Sequence, residues 1–382
     1  MQKNTITRII GASLLLAITA CQPPSDKPDS SEATSTPAQT EAPASAPSLT
    51  EAKTPKALTK AIVALSEEAL KDQLICTKLH DTINAINNRS EIEDIHGIQR
   101  QLEACLPVAN NAEIQQWLKD YQAMYSRFLS FDSPTDSAAF FTVMSHVEQG
   151  GKITVAQLKQ VNPRVRYLLG LIRSKADIKL RYMGANDFKF YHDLAAMAAI
   201  FAPYLPDDQR EFIQRMAQDN QKLFWFDGAI ELSLEAVVAR AIYWEDFMSR
   251  YPDSSFYDDA KTVFDTYRHL LFFGANNIQW TDDERRKFYI PAEERLMMQL
   301  AKRTDSQLAQ DVQKLLAFMQ QSDNERQKLY PAPEKDKNEQ EANKREVTQS
   351  QLNQALEIPS LSETLKEKNC LNGIICVDNE IQ

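Results

Sequence analysis

Between residues 57 and 330 the apolar residues recur at helical spacing, and this feature most limits what the chain can fold into. In residues 163–183 one predicted helix face consists of Val165, Leu168, Leu169, Ile172, Ala176, Ile178 and Leu180. The same spacing recurs at residues 190–201 and 306–319. The 382-residue chain has only nine glycines, and apolar and polar residues rarely alternate in this region. The pattern predicts an all-α fold.

Capping patterns divide the region into helices joined by short loops. A break between predicted helices at 57–88 and 91–105 has Ser90 as the N-cap and Glu93 completing a capping box. Other predicted helix starts are marked by Asp187, by Asp207, and by Thr281 with Glu284. Because a helical array grows in length without thickening, we expect antiparallel helical hairpins, forming an α-solenoid or an irregular helical domain.

The chain begins with a targeting signal rather than a structural element. Lys3 and Arg8 precede an apolar run at residues 9–18, which is too short to span a membrane. Small residues then lead to Cys21. This order resembles the lipobox of bacterial lipoproteins, which implies that residues 1–20 are a signal peptide and that Cys21 becomes the lipidated first residue. An ordinary cleaved signal with a coincidental cysteine is the alternative.

Two segments are predicted to lie outside a packed core. Residues 21–56 hold the lipidated cysteine and a Pro-, Ser- and Ala-rich stretch without aromatic residues, which predicts a disordered tether. Residues 331–382 are predicted to be a charged linker and a small disulfide-looped tail. In the lipoprotein family, aspartate after the cysteine retains the chain at the inner membrane. Gln22 stands there in this chain, so the resemblance favours an outer-membrane anchor facing the periplasm.

The charge of the chain limits its partners. Its formal net charge is −10, and loss of Lys3 and Arg8 with the signal would make it −12. An acidic chain repels phosphate backbones, so nucleic acid is an unfavourable partner. Membrane attachment through lipid at Cys21 and binding to an envelope protein or peptide are the expected interactions, while the oligomeric state is left open.

The cysteines predict two disulfides. With Cys21 lipidated, four cysteines remain for pairing in an oxidising compartment. Cys76 and Cys105 lie at similar distances from the break between the first two predicted helices, so they face each other in an antiparallel pair. A bridge there closes a loop of about 30 residues and contributes roughly 3 kcal/mol. Cys370 and Cys376 flank an Asn-Gly turn signal, and a redox or metal site is the weaker alternative.

Residues 241–274 resemble one tetratricopeptide (TPR) unit. Residues of the expected size fall at five positions of the pattern, and Met248 stands where a TPR unit has a small residue; the five are Trp244, Phe247, Tyr251, Ala260 and Phe264. The turn "RYPDSSFYDDA" is similar to that of envelope TPR proteins. Ser254 or Ser255 is predicted to cap the next helix, with Asp258 and Asp259 in its first turn. No second unit occurs at the TPR period, so the resemblance implies one degenerate TPR-like hairpin.

No catalytic or cofactor motif stands out in the sequence. The five histidines have no metal-ligand or nucleophile spacing, and "DSSFYDD" lacks the oxygen spacing of a calcium loop, so neither cofactor nor metal is expected. A solvated or structural role is the ordinary interpretation of each histidine. Aromatic residues are dense at Phe188, Phe190, Tyr191, Phe224, Trp225 and Phe226, and we expect most of them in the core, with any exposed part forming a partner groove.

One predicted helix, at residues 164–181, is basic within an acidic protein. Its cations are Arg164, Arg166, Arg173, Lys175, Lys179 and Arg181. They predict either a contact with an anionic headgroup or acidic partner segment, or a solvated face. The acidic neighbours considered for pairing are Glu231, Glu235, Glu245 and Asp246.

These patterns favour a binding protein over an enzyme. The leading hypothesis is an outer-membrane-anchored periplasmic lipoprotein whose helical domain acts as a scaffold and holds an envelope protein or peptide. The alternatives are a cell-wall-acting enzyme with an unrecognised carboxylate acid, and a structural accessory of an envelope complex.

Overall fold

The computed structural model describes most of the chain beyond residue 73: residues 74–131, 134–148, 150–174, 176–184, 187–222, 225–226, 229–275, 278–331 and 344–379. The chain divides into two compact units at residues 57 and 58, and all of these residues belong to the second unit. Cys21 and its tether lie outside the described residues. In the part that is described, no helix is both long enough and apolar enough to cross a membrane.

The described chain is mostly helical. Its helices are α1 (Leu79–Ala85), α2 (Ile92–Cys105), α3 (Asn111–Phe128), α4 (Pro134–Glu148), α5 (Val155–Gln160), α6 (Pro163–Arg173), α7 (Leu194–Phe201), α8 (Asp207–Gln221), α9 (Leu234–Arg250), α10 (Tyr257–Phe273), α11 (Pro291–Leu300), α12 (Gln307–Gln320), α13 (Asp323–Leu329), α14 (Lys344–Leu356) and α15 (Leu361–Thr364). Short 3-10 turns follow α2 and α7 at Leu106–Val108 and Ala202–Tyr204. The predominance of helix agrees with the predicted class.

Three two-stranded antiparallel sheets correct the all-α prediction. They pair β1 (Ile178–Gly184) with β2 (Asp187–His192), β3 (Trp225–Phe226) with β4 (Ala229–Ile230), and β5 (Lys368–Asn369) with β6 (Val377–Asp378). The predicted basic helix is therefore wrong beyond Arg173, where α6 ends. In β2, buried Phe188 and Phe190 alternate with exposed Lys189, which is strand periodicity.

Several predicted caps are also displaced. The side chain of Glu91, not Ser90, forms the capping box of α2, and its partner is Asp94. Asp193, not Asp187, caps α7. Thr281 lies in an isolated bridge with Phe288 instead of starting a helix. At α2 the predicted and observed caps are adjacent polar residues that compete for the same role, whereas Asp187 begins β2 and no helix starts at Thr281.

The turn before α10 is built differently from its prediction. Phe256 is the N-cap residue and makes no side-chain cap bond, so neither serine caps the helix. Instead, Ser254 donates a hydrogen bond to Asp208 at 2.5 Å, and the Ser255 hydroxyl accepts one from Gln209 at 3.2 Å. Tertiary contacts with α8 thus use the hydroxyl groups that a local cap would have used.

The helices pack in a chain of neighbours. α1 contacts α2 and α3, and α3 contacts α7 and β2. α7 packs on α8, and α9 packs on α10 across the 251–256 connection. α9 also contacts α11 and α12. In the α9–α10 pair Trp244, Phe247, Ala260 and Phe264 are buried, whereas Tyr251 is half-buried.

The predicted C-terminal tail instead folds onto the helical body. α14 packs on α12, and α15 packs on α10. The apolar residues that anchor it are Leu352, Leu356, Ile358, Ile374 and Ile375, all buried. Their wide spacing among charged residues hid this small apolar face from the sequence pattern. Lys368 also pairs with the buried carboxylate of Asp259 at 2.6 Å.

Both predicted disulfides are confirmed. Cys76 is bonded to Cys105, which joins the segment before α1 to the end of α2. Cys370 is bonded to Cys376, and the β5–β6 pair closes the same small loop. The loop is therefore held by a covalent bond and by backbone pairing.

Candidate functional site

A pocket of ≈ 490 Å³ opens between α3, the β1–β2 hairpin, α7, α8 and the C-terminal loop. Its wall is mainly apolar and aromatic. The lining residues are Gln122, Tyr125, Ser126, Leu129, Ser130, Phe131, Arg181, Phe188, Lys189, Phe190, Tyr191, His192, Leu194, Met197, Asn220 and Asn372. Its volume lies within the range typical of sites for small ligands.

The hairpin gives the pocket two unlike sides. Five consecutive residues of β2, from 188 to 192, line it, and successive side chains of a strand point to opposite faces. Because residues from both faces of β2 line the pocket, the pocket lies along the edge of the strand. Phe188 and Phe190 supply the apolar side, and Phe140 and Phe131 pack against them.

The other side of the hairpin carries positive charge. Arg181 and Lys189 are directly opposite each other in the β1–β2 register, and both line the pocket. The Arg181 guanidinium lies 4.2 Å from the centre of the Tyr191 ring and donates a hydrogen bond to the Asn220 carbonyl at 2.9 Å. This side of the hairpin therefore presents two cations to the pocket.

His192 stands at the base of the pocket. It is 3% exposed, stacks on the Tyr125 ring at 3.5 Å between centres, and meets Tyr121 edge-on. Within the described residues neither of its ring nitrogens has a hydrogen-bond partner. Burial lowers the pKa of His192 to about 3, and Lys179 lowers it further while Asp193 opposes this. The imidazole is therefore neutral at ordinary pH.

The C-terminal disulfide loop closes another part of the wall. Gln122 accepts a hydrogen bond from the Ile374 amide at 2.9 Å and donates one to the Ile375 carbonyl at 3.1 Å. Asn220 donates to the Gly373 carbonyl at 3.0 Å. A side chain at Gly373 would collide with the Gln122 amide group, which explains the glycine at this close approach.

The polar groups of the described lining are amides, hydroxyls, two cations and one imidazole. None of the described residues that line the pocket is Asp or Glu, so the carboxylate acid required by the enzyme alternative is not found there. Ser126 and Ser130 donate to backbone carbonyls of their own helix, Gln122 and Arg127. Among described residues no cluster of His, Cys, Asp or Glu is arranged to hold a metal ion.

The structure separates the six predicted basic residues. Arg164 is structural, since its guanidinium donates to the carbonyls of Ser90 at 2.8 Å and Phe128 at 2.7 Å. Lys179 pairs with Asp193 at 2.6 Å. Of the five that the structure describes, only Arg181 lines the pocket.

Two further members of the basic set, Arg166 and Arg173, are not among the residues that line that wall. Arg166 and Arg173 are on α6, half-buried and exposed respectively, and Lys175 falls outside the described residues. Of the acidic neighbours considered as partners, Glu245 accepts bonds from Ser306 and the Leu308 amide, and Asp246 pairs with Arg303. They therefore serve the contact between α9 and the segment leading into α12.

The aromatic-rich stretches divide in the same way. Phe188, Phe190 and Tyr191 line the pocket, while the side chains of Phe224, Trp225 and Phe226 lie outside the described residues. His192 is predicted to be an ordinary histidine, because no motif spacing in the sequence distinguishes it from the other four. Its only cue was its position in the aromatic segment "FYHDL".

No protein-family model, no curated protein and no solved structure matches this chain.

Proposed function

We propose that this chain is a lipid-anchored binding protein of the bacterial cell envelope, held at the outer membrane through Cys21 and facing the periplasm. The observation that carries the binding role is the aromatic pocket, whose described lining contains cations, amides and hydroxyls but no carboxylate. The lipobox resemblance at residues 1–21 and the two disulfides support the compartment.

In this proposal the helical body is the scaffold that forms the pocket. The buried α9–α10 pair, with its TPR-like packing residues, supports one hairpin unit in an irregular helical domain. Such hairpins commonly present concave surfaces to protein or peptide partners. An envelope component held by these surfaces is the expected partner.

Site-specific photocrosslinking in cells tests the binding role. A photoreactive amino acid at Ser130, an exposed residue of the pocket wall, should capture a specific species that mass spectrometry then identifies. The matched control places it at Val155, which is exposed but does not line the pocket. Equal capture patterns at the two positions would refute the pocket as the binding site.

Lipid labelling tests the anchor separately. Palmitate should label the wild-type chain and not the Cys21→Ala variant, and that variant should leave the outer-membrane fraction. Labelling that persists in the variant would contradict lipidation at this cysteine.

A further inference from the structure

The pocket also indicates what kind of ligand it takes, and this inference rests on the proposed binding function. We infer that it binds an amphiphilic organic anion: a carboxylate attached to an apolar chain or ring system. The carboxylate would lie beside Arg181 and Lys189, and the apolar body would lie against Phe188, Phe190 and Leu129.

The charge of the pocket lining favours an anionic ligand. Two cations from paired strands line the pocket, and no described lining residue is acidic. A carboxylate beside Arg181 and Lys189 would be attracted by both cations and would match the planar donor fork of a guanidinium. A neutral or cationic ligand gains neither effect.

The separation of the two sides is the second argument. The phenylalanines and the cations stand on opposite faces of the hairpin, and the pocket meets both faces along the strand edge. A ligand that fills it must therefore have an apolar end and a charged end. Tyr125, Phe131 and Met197 extend the apolar side far enough for a chain or a ring system.

Several neutral hydrogen-bond donors of the pocket lining already have partners within the protein, which disfavours a peptide as the ligand. The hydroxyls of Ser126 and Ser130 donate to the protein's own backbone, and the amide groups of Gln122 and Asn220 hold the C-terminal loop. A peptide would bring many amide groups that need partners on entering the pocket. An amphiphile with one charged group brings far fewer, although a strand edge also suits an extended peptide, which the experiment distinguishes.

Calorimetric titration of the full chain carrying Cys21→Ser, in buffer without detergent, tests the inference. The probes are dodecanoate, dodecan-1-ol and dodecylammonium, with 2-naphthylacetate and 2-naphthaleneethanol as the ring-bearing pair. The carboxylates should bind roughly 10-fold more tightly than the matched alcohols, because a hydrogen bond to a charged group exceeds a neutral one. The relative affinities of dodecanoate and 2-naphthylacetate show whether the pocket prefers a chain or a ring system as the apolar body of its ligand.

Lys189→Met removes one positive charge from the pocket and keeps an unbranched side chain of similar length. It should weaken dodecanoate binding roughly 10-fold and leave the alcohol unchanged, which shows that the pocket still forms. Lys159→Met removes an exposed lysine outside the pocket and should change neither. Lys189 is preferable to Arg181 for this purpose, because Arg181 also holds the Asn220 carbonyl.

The outcomes separate this inference from the proposed function. If carboxylate and alcohol bind equally, or if the crosslinker at Ser130 captures a polypeptide, the anionic ligand is refuted. The pocket would then still be a binding site. Absence of any probe binding, together with identical crosslinks at Ser130 and Val155, would overturn both.

Discussion

Two buried polar groups in this molecule have opposite surroundings. Asp311, in α12, is fully buried, and its carboxylate accepts hydrogen bonds from Arg268 at 2.6 Å and Gln307 at 3.0 Å. His192, in the pocket region, is almost as buried, yet both ring nitrogens lack a hydrogen-bond partner among described residues. A buried polar group without a partner costs free energy of folding.

Asp311 lies where helices pack against each other, whereas His192 lies at the candidate binding site. The interface of α10 with α12 matches its charges, as in the Arg268 contacts with Asp265 and Asp311. The pocket region instead combines a cavity, two opposed cations and an unpaired imidazole. Matched groups stabilise the fold, whereas an imidazole buried without a hydrogen-bond partner beside a cavity marks a candidate ligand site.

The largest expected effect is the loss of a matched buried charge. Asp311→Ala leaves the Arg268 guanidinium without its main partner, and we expect the free energy of unfolding to fall by about 3–5 kcal/mol. Urea denaturation measures it. As a control, Asp246→Ala breaks the half-exposed pair with Arg303 and should cost less than about 1 kcal/mol. Similar losses in the two variants would remove the distinction between buried and surface pairs.

The two disulfides should differ in what they stabilise. Replacing Cys76 and Cys105 with serine opens a long loop and should cost about 3 kcal/mol, while the Cys370 and Cys376 double variant opens a short one and should cost about 2 kcal/mol. Only the second loop touches the pocket, through Asn372. Dodecanoate binding should therefore weaken in the second variant at a temperature where both are folded. Weaker binding in the first variant alone would contradict this assignment.

His192→Phe tests the unpaired imidazole. Unfolded histidine gains a proton below its ordinary pKa of 6.5, but folded His192 does so only near 3. The histidine therefore favours unfolding as the pH falls from 6.5 towards 3. Between pH 8 and pH 5 wild type should lose about 2 kcal/mol more than the variant.

Measurements at pH 8 provide the control for that variant. There the histidine is neutral in both the folded and the unfolded states, so any difference between the proteins reports packing against Tyr125 and the cost of burying the two ring nitrogens without partners. Parallel stability curves from pH 8 to pH 5 would show that His192 titrates normally and is not a strained group.

The sequence could predict what depends on neighbouring residues. Helical spacing and turn signals were enough for most helices and for both disulfides, since each relies on contacts within one or two elements. The β1–β2 hairpin was missed because Ile178 and Leu180 fit a helical face almost as well as a strand face. The pocket could not be predicted, because it brings Gln122 against Ile375, which is 253 positions away.

Arg181 shows that a sequence can suggest a role for a residue and still assign it to the wrong element. Its charge was predicted to meet an anion, but on a helix with five other cations. Three of those have contacts or positions that serve other roles: Arg164 holds backbone carbonyls, Lys179 pairs with Asp193, and Arg173 is exposed on α6. The register of the β1–β2 hairpin, rather than a helical face, places Arg181 opposite Lys189.

The smallest expected effect concerns Glu211, a matched carboxylate at the contact between α8 and α9. Arg250 donates to it, with one Nη1–Oε2 distance of 2.7 Å, and the hydroxyls of Tyr243 and Tyr251 donate at 2.7 and 3.0 Å. The Arg250 hydrogen bonds lower the pKa of Glu211 from 4.5 to about 2, and the tyrosines contribute. A lowered carboxylate pKa stabilises the fold above 4.5, and this contribution is lost as the pH falls towards 2.

Arg250→Met should therefore reduce stability at pH 7 by less than about 1 kcal/mol, since the pair is partly exposed to solvent. The difference between wild type and variant should shrink as the pH falls from 4.5 towards 2, because protonation of Glu211 removes the attraction in wild type. Arg303→Met is the matched control on another surface pair. A difference that grows on acidification would mean that Arg250 acts through some group other than Glu211, and this contact would then no longer count among the matched pairs.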